Sequence, residues 1–327
     1  MNLDVVLPFH RVDKYFESAI LSLAQSKRVT FRTILIDDRI DKSKDLTKLF
    51  NNLESFDVVE TPGGVGYGSA LEYGSKLVEA DAIALFNSDD LISSDRLSRQ
   101  YDQLSNNEIS IVNMARINEQ GKRNKSIMGE ISSTAYNPIF LSLGAYGANA
   151  SWCVRKTWWD KYIYFDNNEC LDWRIAFTSF CSTSIGFISE PLYFYRKHSN
   201  QVTKQYNLSR SQMDVVYKAW INFIKLFGIE PTAYSTFSAL ATPWNNNASE
   251  VNINELVKTV EQISGFANNL DPKISINLKK LIQRRYIFAL KNTKSVSDSM
   301  QLLKMGLPET PGIANDLLKN LISSKTI

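Results

Sequence analysis

The residue types best suited to chemistry in this sequence stand directly after an apolar run. Residues 82–86 read Ala-Ile-Ala-Leu-Phe, and Asn87, Ser88, Asp89 and Asp90 follow them. The run lacks polar alternation, which is typical of a strand buried on both faces of a parallel sheet. Open α/β sheets bind ligands at the carboxyl ends of their strands. Carboxylate and amide oxygens at such a place suit Mg²⁺ or Mn²⁺, and such a cation suits a diphosphate.

Two interpretations of this polar cluster stay open. In the functional one, Asp89 is the metal ligand, and Asn87 hydrogen-bonds a ribose or offers a neutral oxygen. In the structural one, Ser88 and Asp90 only cap the next helix, since short polar side chains are preferred at helix N-caps. The position directly after a buried strand favours the metal site.

A second pair of carboxylates, Asp37 and Asp38, also follows an apolar run, at residues 31–36. Such groups accept hydrogen bonds from a base N–H or a ribose hydroxyl, and they also form ordinary turns. The glycine-rich stretch 63–68 allows a backbone to approach a ligand closely. Its spacing does not fit the dinucleotide fingerprint, and it follows the third predicted strand rather than the first. NAD binding is therefore disfavoured.

Two further candidates lie downstream. Glu169 and Asp172 are three residues apart and would share a helix face, where a carboxylate beside Trp173 can act as a general base. The alternative is a pair that caps the helix. His198, one of two histidines, lies among basic residues and could bind a metal or a diphosphate, or pack as an ordinary histidine.

The elements that must position these residues alternate between strand and helix, which is typical of a doubly wound α/β domain. Predicted strands cover residues 3–8, 31–36, 57–60, 82–86, 109–114, 184–188 and 192–195. Pro8 is expected to end the first strand because it lacks an N–H. Predicted helices cover residues 12–25 and 69–78, a segment capped by Ser93 or Ser94 that runs through Leu104, and residues 154–164 and 169–180.

The composition of the 327 residues, 44% hydrophobic and 22% charged, indicates a globular protein of about two domains. From Arg210 onward, 14 Lys and Arg stand against 9 Asp and Glu, so the C-terminal part is basic. An anionic membrane or acceptor would suit this charge, and so would a solvated face. Residues 232–248 form a looser region, and further helices are predicted at residues 208–227, 254–266, 274–290 and 295–305.

The cysteines and the N-terminus indicate a protein of the cytoplasm. Cys153, Cys170 and Cys181 are odd in number and form no CxxC pair, as expected of thiols in a reducing compartment. The N-terminus lacks the basic region of a signal peptide. No apolar run reaches the roughly 18 residues of a spanning helix. Nucleic acid is not an expected partner.

The order of these motifs resembles the family 2 inverting nucleotide-sugar glycosyltransferases, which have the GT-A fold. The family's strand ending in Pro-x-Tyr-Asn corresponds to residues 5–10, and its Asp-Asp-Gly-Ser-x-Asp to residues 37–41. Its Asp-x-Asp-Asp corresponds to residues 87–90, its Glu-Asp-aromatic motif to residues 171–173, and its Tyr-Arg-x-His to residues 195–198.

The resemblance covers residues 3–203. It implies an α/β fold of GT-A type, which is Rossmann-like and doubly wound with a mostly parallel sheet. Residues 1–203 would form the catalytic domain, and residues 204–327 a helical C-terminal extension for acceptor, membrane or oligomer contacts. The residues implied in nucleotide binding are Pro8, Phe9, Asp37, Asp38, Gly66, Asn87 and Ser88. Asp89 and His198 would bind Mn²⁺ or Mg²⁺, and Asp172 would be the catalytic base.

The implied reaction moves a sugar, with inversion, from a nucleotide donor, most often a UDP sugar, to a hydroxyl group. The acceptor would be a glycan or a lipid-linked saccharide in polysaccharide or surface-glycan biosynthesis. Peripheral contact with an anionic membrane at the inner face, through the cluster Lys279, Lys280, Arg284 and Arg285, is a further expectation. So is a homodimer. The loop from Gly144 to Cys153 is expected to select the acceptor.

Three departures from the family pattern bear on these roles. Asn87 replaces the first acidic residue, and Arg39-Ile40 replaces Gly-Ser, which puts the base selectivity in question. Leu171 replaces Glu, so Asp172 is left as the base with Glu169 as the substitute candidate. Two alternatives remain: a sugar nucleotidyltransferase, although the loop after the first strand lacks glycine, and a catalytically inactive nucleotide-sugar binding module.

Overall fold

The computed structural model describes residues 2–128, 149–163, 171–182, 184–199, 210–230, 233–241 and 253–270, with isolated residues between 272 and 285. The chain divides into two compact units. The first holds the described residues up to 199, and the second holds those from 210 onward. The predicted domain boundary at residues 203 and 204 lies outside the described residues.

A mixed sheet forms the centre of the first unit. In the described part of this unit its strands are β1 Leu3–Phe9, β2 Phe31–Asp37, β3 Phe56–Glu60, β4 Ala82–Leu85, β5 Leu91–Ile92, β6 Ile109–Ile117, β7 Arg123–Met128, β8 Trp152–Arg155 and β9 Ile185–Arg196. Their order is β3-β2-β1-β4-β8-β6-β9-β5, and β7 pairs with β6. The first four in this order are parallel, β8 is antiparallel to both of its neighbours, and β6 is parallel to β9.

The helices described in the first unit are α1 Lys14–Ala24, α2 Thr47–Phe50, α3 Tyr67–Lys76, α4 Arg96–Gln103, α5 Lys156–Tyr162 and α6 Leu171–Ser182. Those described in the second unit are α7 Arg210–Lys225, α8 Tyr234–Leu240 and α9 Ile253–Ala267. None of the described helices is long and apolar enough to cross a membrane.

Strand β1 lies at the centre of the core, and all seven of its residues are buried. Helix α1 packs on it, with Phe9 stacked against Phe16 at 4.5 Å between ring centroids. The strand does not end at Pro8 as predicted but runs through Phe9. Val6 O accepts from Phe86 N in the last contact with β4. Pro8, two residues after Val6, also turns its backbone nitrogen toward the β4 side, but beyond the last hydrogen bond between the two strands. The missing N–H of Pro8 therefore removes no hydrogen bond from the sheet.

Several other sequence predictions need correction. Helix α4 has Asp95 at its N-cap rather than Ser93 or Ser94. The two strands predicted at residues 184–188 and 192–195 form the single strand β9, whose register shifts between Val112 and Met114 of β6. The helix expected from residue 154 begins two residues later, because β8 fills the space between β4 and β6. Helix α8 lies in the predicted loose region.

Among the described residues, Cys153 is a buried free thiol, and burial raises its pKa to about 12. Cys170 and the side chain of Cys181 lie outside the description. The predicted helix at residues 295–305 does too, together with most of the helix at residues 274–290.

Candidate active site

The carboxyl ends of β1, β2, β4 and β9 point to the same edge of the sheet. The first three strands are parallel neighbours, and two antiparallel steps through β8 restore the same direction in β6 and β9. Residues that follow these strands are therefore brought together, as expected for an α/β ligand site. This edge carries every predicted nucleotide and metal residue.

The most direct contact at this edge joins Asp89 to His198. Nε2 of the imidazole lies 3.0 Å from Oδ2 of the carboxylate, although the two residues are 109 positions apart. The His198 side chain is 0% exposed, whereas that of Asp89 is 29% exposed. The carboxylate is thus the member of the pair that a ligand can reach from solvent.

This pair fits a divalent cation that is mainly held by its substrate. Mg²⁺ is typically bound through one or two carboxylates plus phosphate oxygens and water, and carboxylates also suit Mn²⁺. Within the described ranges no group of three or more His, Cys, Asp or Glu side chains is arranged for a metal. Asp89 therefore fits as the principal donor. His198 would contribute through Nε2, the atom that now faces Asp89.

Asp90 does not cap a helix but joins β4 to β9. It accepts hydrogen bonds from the Tyr193 hydroxyl, from Arg196 N at 2.7 Å and from Asn87 Nδ2 at 3.3 Å. Complete burial and, secondarily, the charge of Asp89 raise the pKa of Asp90 to about 8. The structural alternative for Asp90 as a cap of α4 is therefore wrong, since Asp95 occupies that N-cap. Asn87 is held by this same network.

At the end of β2, Asp37 forms a buried fork with Arg39. Nε and Nη2 of the guanidinium lie 2.9 and 2.7 Å from the two carboxylate oxygens, and both side chains are less than a tenth exposed. The hydrogen bond to Asp37 raises the pKa of Arg39. Arg39 also lies over the Phe9 ring, with its guanidinium carbon 5.7 Å from the centroid. Asp37 is thereby paired within the protein.

Asp38 holds the glycine loop against the end of β2. Its carboxylate accepts from the Thr61 hydroxyl at 2.5 Å, from Val65 N at 2.9 Å and from Gly66 N at 3.0 Å. A carboxylate has about four acceptor positions, so Asp38 keeps capacity for a further donor from a ligand. The predicted nucleotide residues Asp38 and Gly66 are thus in direct contact.

The loop itself depends on glycine. Gly63, Gly64 and Gly66 have φ values of 94°, 68° and 87°, which side-chain-bearing residues rarely adopt. A Cβ on Gly63 would also lie 2.8 Å from the carbonyl oxygen of Arg39. The loop follows β3 rather than β1, which is not the place of a dinucleotide fingerprint.

Pro8 and Phe9 are buried at the end of β1, so a nucleotide would meet their backbone, as the sequence predicts. The exposed residue that follows is His10, which the sequence analysis assigned no role. Partial burial and Arg11 lower the pKa of His10, while Asp89 and Asp38 act in the opposite direction. His10 follows β1, which lies between β2 and β4, so it is close to both acidic strand ends. The position of His10 at the end of the motif at residues 5–10 could have identified it as a candidate site residue.

Asp172 occupies the second position of α6, but its side chain lies outside the description. The following residue, Trp173, is buried and packs on Phe177 at 5.5 Å between ring centroids. Glu169 also lies outside the described residues. Its geometry toward the other site residues therefore stays a prediction, and so does that of Asp172.

The loop predicted to select the acceptor is described from Asn149 onward. Asn149 is buried, and its Nδ2 donates to the Tyr67 hydroxyl at 3.1 Å. Tyr67 begins α3 directly after the glycine loop. Asn149, in the predicted acceptor loop, is therefore bonded to the first residue of the helix that follows the glycine loop.

Sequence reasoning also missed residues that shape this edge. Tyr15 lies under both His198 and Arg196, and Tyr193 and Thr61 bind the two acidic pairs. Periodicity alone assigns Tyr15 to the core face of α1. Arg196 is part of the Tyr-Arg-x-His motif, which was a signal for its importance but not for its contacts.

Comparison with known proteins gives a consistent result. A family model described as Glycosyl transferase family 2 matches residues 4–187. A Haemophilus influenzae protein described as an uncharacterized glycosyltransferase is 28% identical over 112 residues. That alignment covers 33% of this chain and 44% of the relative, so the chain matches less than half of the relative's length.

Solved structures of S. aureus TarS have a similar fold. The TarS 1–349 complex with UDP-GlcNAc has a TM-score of 0.56 at 16% identity, over 92% of this chain and 90% of that chain. The complex with UDP has a TM-score of 0.55 at 16% identity, over the same shares. At this level of identity the similarity shows the fold alone, and it confirms the predicted GT-A type.

Proposed function

Because the chain belongs to glycosyl transferase family 2, we propose that it is an inverting, cation-dependent glycosyltransferase acting on a nucleotide sugar. The family membership, predicted from the order of the motifs, is confirmed by the match over residues 4–187. The observation that best supports a cation-dependent reaction is the contact between Asp89 and His198. This contact lies at the same edge as the glycine loop held by Asp38.

The proposed donor is a UDP sugar. The end of β1 and the loop at Gly66 would bind the nucleoside, and Asn87 and Ser88 would lie at the ribose and diphosphate. TarS, which shares the fold, was solved with UDP-GlcNAc and with UDP, and this supports the same nucleotide here. The pairing of Asp37 with Arg39 leaves Asp38 as the better candidate to accept a base N–H.

In the proposed reaction Asp172 accepts the proton of an acceptor hydroxyl while that oxygen attacks the anomeric carbon. One displacement inverts the configuration, and the nucleoside diphosphate leaves. A bound Mn²⁺ or Mg²⁺ would offset the charge of the leaving diphosphate. The chain's contribution at that point is Asp89, whose carboxylate is reachable and held by His198.

The proposed acceptor is a hydroxyl of a glycan or of a lipid-linked saccharide. The excess of Lys and Arg from Arg210 onward supports contact with an anionic membrane surface. In the predicted basic cluster, Lys280 and Arg284 lie outside the described residues, and Lys279 is exposed. Co-sedimentation with anionic liposomes tests this contact, and binding that does not weaken with salt would contradict it. The homodimer stays a prediction.

The test of the proposed function is a donor screen with Mn²⁺, followed by one substitution. The protein is incubated with nucleotide sugars and saccharide acceptors, and release of the nucleoside diphosphate is measured. For the active donor, Asp172→Asn should lower kcat by about 10²–10⁴-fold, the usual contribution of general base catalysis. Asp160→Asn on the exposed face of α5 is the matched control and should leave kcat unchanged.

Two results would contradict this account. If no nucleotide sugar is consumed and none binds, the chain is not an active transferase of this kind. If sugar is transferred and Asp172→Asn keeps full activity, the reaction class stands but the assigned base is wrong.

A further inference from the structure

Arg196 lies at the edge proposed to bind a diphosphate, yet its guanidinium donates to the protein's own backbone. It is 2% exposed and directs its guanidinium into the protein. Nε donates to the backbone oxygen of Asp89 at 2.8 Å, and Nη1 donates to the backbone oxygen of Glu119 at 3.0 Å. Its own backbone N donates to Asp90. One residue at the end of β9 thus binds both acidic residues after β4.

The same guanidinium lies against an aromatic ring that also supports His198. The guanidinium carbon is 5.1 Å from the centroid of Tyr15, and the His198 ring centroid is 4.7 Å from the same ring. Tyr15 is fixed at the start of α1, where the Asp13 carboxylate accepts from Tyr15 N at 2.9 Å. A cation over an aromatic face is attracted by the ring's quadrupole. Arg196 and His198 therefore share one rigid support.

The choice of atoms matters for the chemistry of Asp89. Arg196 bonds the backbone oxygen of Asp89, while the Asp89 carboxylate lies 3.0 Å from Nε2 of His198. A guanidinium that paired with the carboxylate itself would compete with a cation for its oxygens. Bound to the backbone instead, it fixes the residue and leaves the carboxylate reachable, at 29% exposure.

We propose that Arg196 is a positioning residue that holds Asp89 and His198 in the geometry required to bind a divalent cation. This inference rests on the proposed cation-dependent function. Groups that orient metal ligands without touching the metal typically change metal affinity by 10–100-fold when altered. Arg196 acts through the backbone of Asp89 and, with Tyr15, through the ring of His198.

The test measures Mn²⁺ binding directly, by electron paramagnetic resonance of the free ion in the presence of UDP. Arg196→Lys keeps the charge but loses the planar arrangement of donors that reaches two carbonyl oxygens. We expect Mn²⁺ affinity to fall about tenfold or more, with UDP binding in EDTA unchanged. Arg155→Lys is the matched control, because Arg155 also donates to backbone oxygens, those of Asn107 and Leu104, away from this edge. It should bind Mn²⁺ as the wild type does.

A second pair of variants tests the shared support if Arg196→Lys does not fold. Tyr15→Phe keeps the aromatic ring and should retain most of the Mn²⁺ affinity. Tyr15→Leu removes the face against which Arg196 and His198 pack, and it should weaken Mn²⁺ binding several-fold.

The outcomes separate this inference from the proposed function. Wild-type protein that binds no Mn²⁺ with UDP would overturn the cation site and the role of Arg196 together. Wild-type binding that is matched by folded Arg196→Lys, or by Tyr15→Leu, would overturn the role of Arg196 alone. An equal loss in Arg155→Lys would also overturn it, because the effect would then not be specific to this edge.

Discussion

Two acidic pairs lie at the ends of buried strands in this protein, and they differ in which of their carboxylates are bound within the protein. Asp37 and Asp38, at the end of β2, are both bound to the protein itself, one by the Arg39 guanidinium and the other by the glycine loop. After β4 the roles divide. Asp90 is buried and holds β9, whereas Asp89 is reachable and touches His198. In the first pair Asp38 holds the glycine loop, and in the second pair Asp89 has the partly exposed carboxylate.

An Asp-Asp pair at a strand end therefore has no fixed structural role. What decides is which donors the neighbouring elements supply. Arg39, two residues beyond Asp37, occupies that carboxylate locally, while two of the donors to Asp90 come from β9, more than 100 residues away. We therefore expect substitutions after β2 to act on stability and substitution of Asp89 to act on catalysis.

The largest effect expected is on stability, from Asp37→Ala. This change leaves the buried Arg39 guanidinium without its fork partner, and breaking a buried ion pair costs about 3–5 kcal/mol. Chemical denaturation measures it. The double variant Asp37→Ala/Arg39→Ala should lose less than Asp37→Ala alone, because no buried charge is left unpaired. A double variant that is less stable than Asp37→Ala would show that the unpaired Arg39 guanidinium does not cause the loss of stability.

Asp89→Ala should show the reverse pattern. Removing the reachable carboxylate should lower kcat with Mn²⁺ by about 100-fold, because the leaving diphosphate loses its bound cation. The free energy of unfolding should fall by only about 1 kcal/mol, the usual net value of one hydrogen bond. Activity assays over a range of Mn²⁺ concentrations, with denaturation on the same preparation, check both parts. An unchanged metal requirement would remove Asp89 from the cation site.

Asp38→Ala should cost about 2 kcal/mol, because it removes the acceptor of the Thr61 hydroxyl and of two loop amides. Hydrogen exchange of the Val65 and Gly66 amides should become faster, and that of β2 should not. If the two amides stay protected from exchange, another contact holds the loop, and the structural role given to Asp38 is wrong.

The smallest effect is expected from an exposed acidic residue near the same elements. Asp95 is paired with Arg28 at 2.8 Å, and the two side chains are 42% and 70% exposed. Although Asp95 is the N-cap of α4, its side chain makes no cap hydrogen bond there. Asp95→Ala should therefore change the free energy of unfolding by about 0.5 kcal/mol or less, as the loss of an exposed ion pair does. A loss as large as that of Asp37→Ala would show that burial does not explain the difference between these pairs.

Three of the four strands that end at the candidate site, β1, β2 and β4, were predictable because each is a largely buried apolar run followed by polar residues, whereas β9 was predicted as two strands. Strands β1, β2 and β4 agree with their predicted ranges within a residue or so. Strands β5 and β8 are only two and four residues long, and they form because partners far along the chain pair with them. The local hydrophobic pattern of the sequence does not indicate such distant partners.

The placement of the candidate site residues at one edge of the sheet was predictable from the sequence, but their hydrogen bonds were not. Asp89 and His198 were proposed together because a family resemblance placed both at one site, not because of their spacing. The fork of Asp37 and the burial of Asp90 depend on which donors surround each carboxylate. Arg39 in place of glycine was visible in the sequence, yet only the fold shows that its guanidinium turns back to Asp37.

The most direct test of the central claim is a crystal structure with Mn²⁺ and UDP, measured at a wavelength that gives anomalous signal from manganese. The account predicts one anomalous peak beside the Asp89 carboxylate and next to the diphosphate, with Asp37 still paired to Arg39. A peak at Asp37 or Asp38, or none in a crystal that contains UDP, would contradict the assignment of the cation to Asp89.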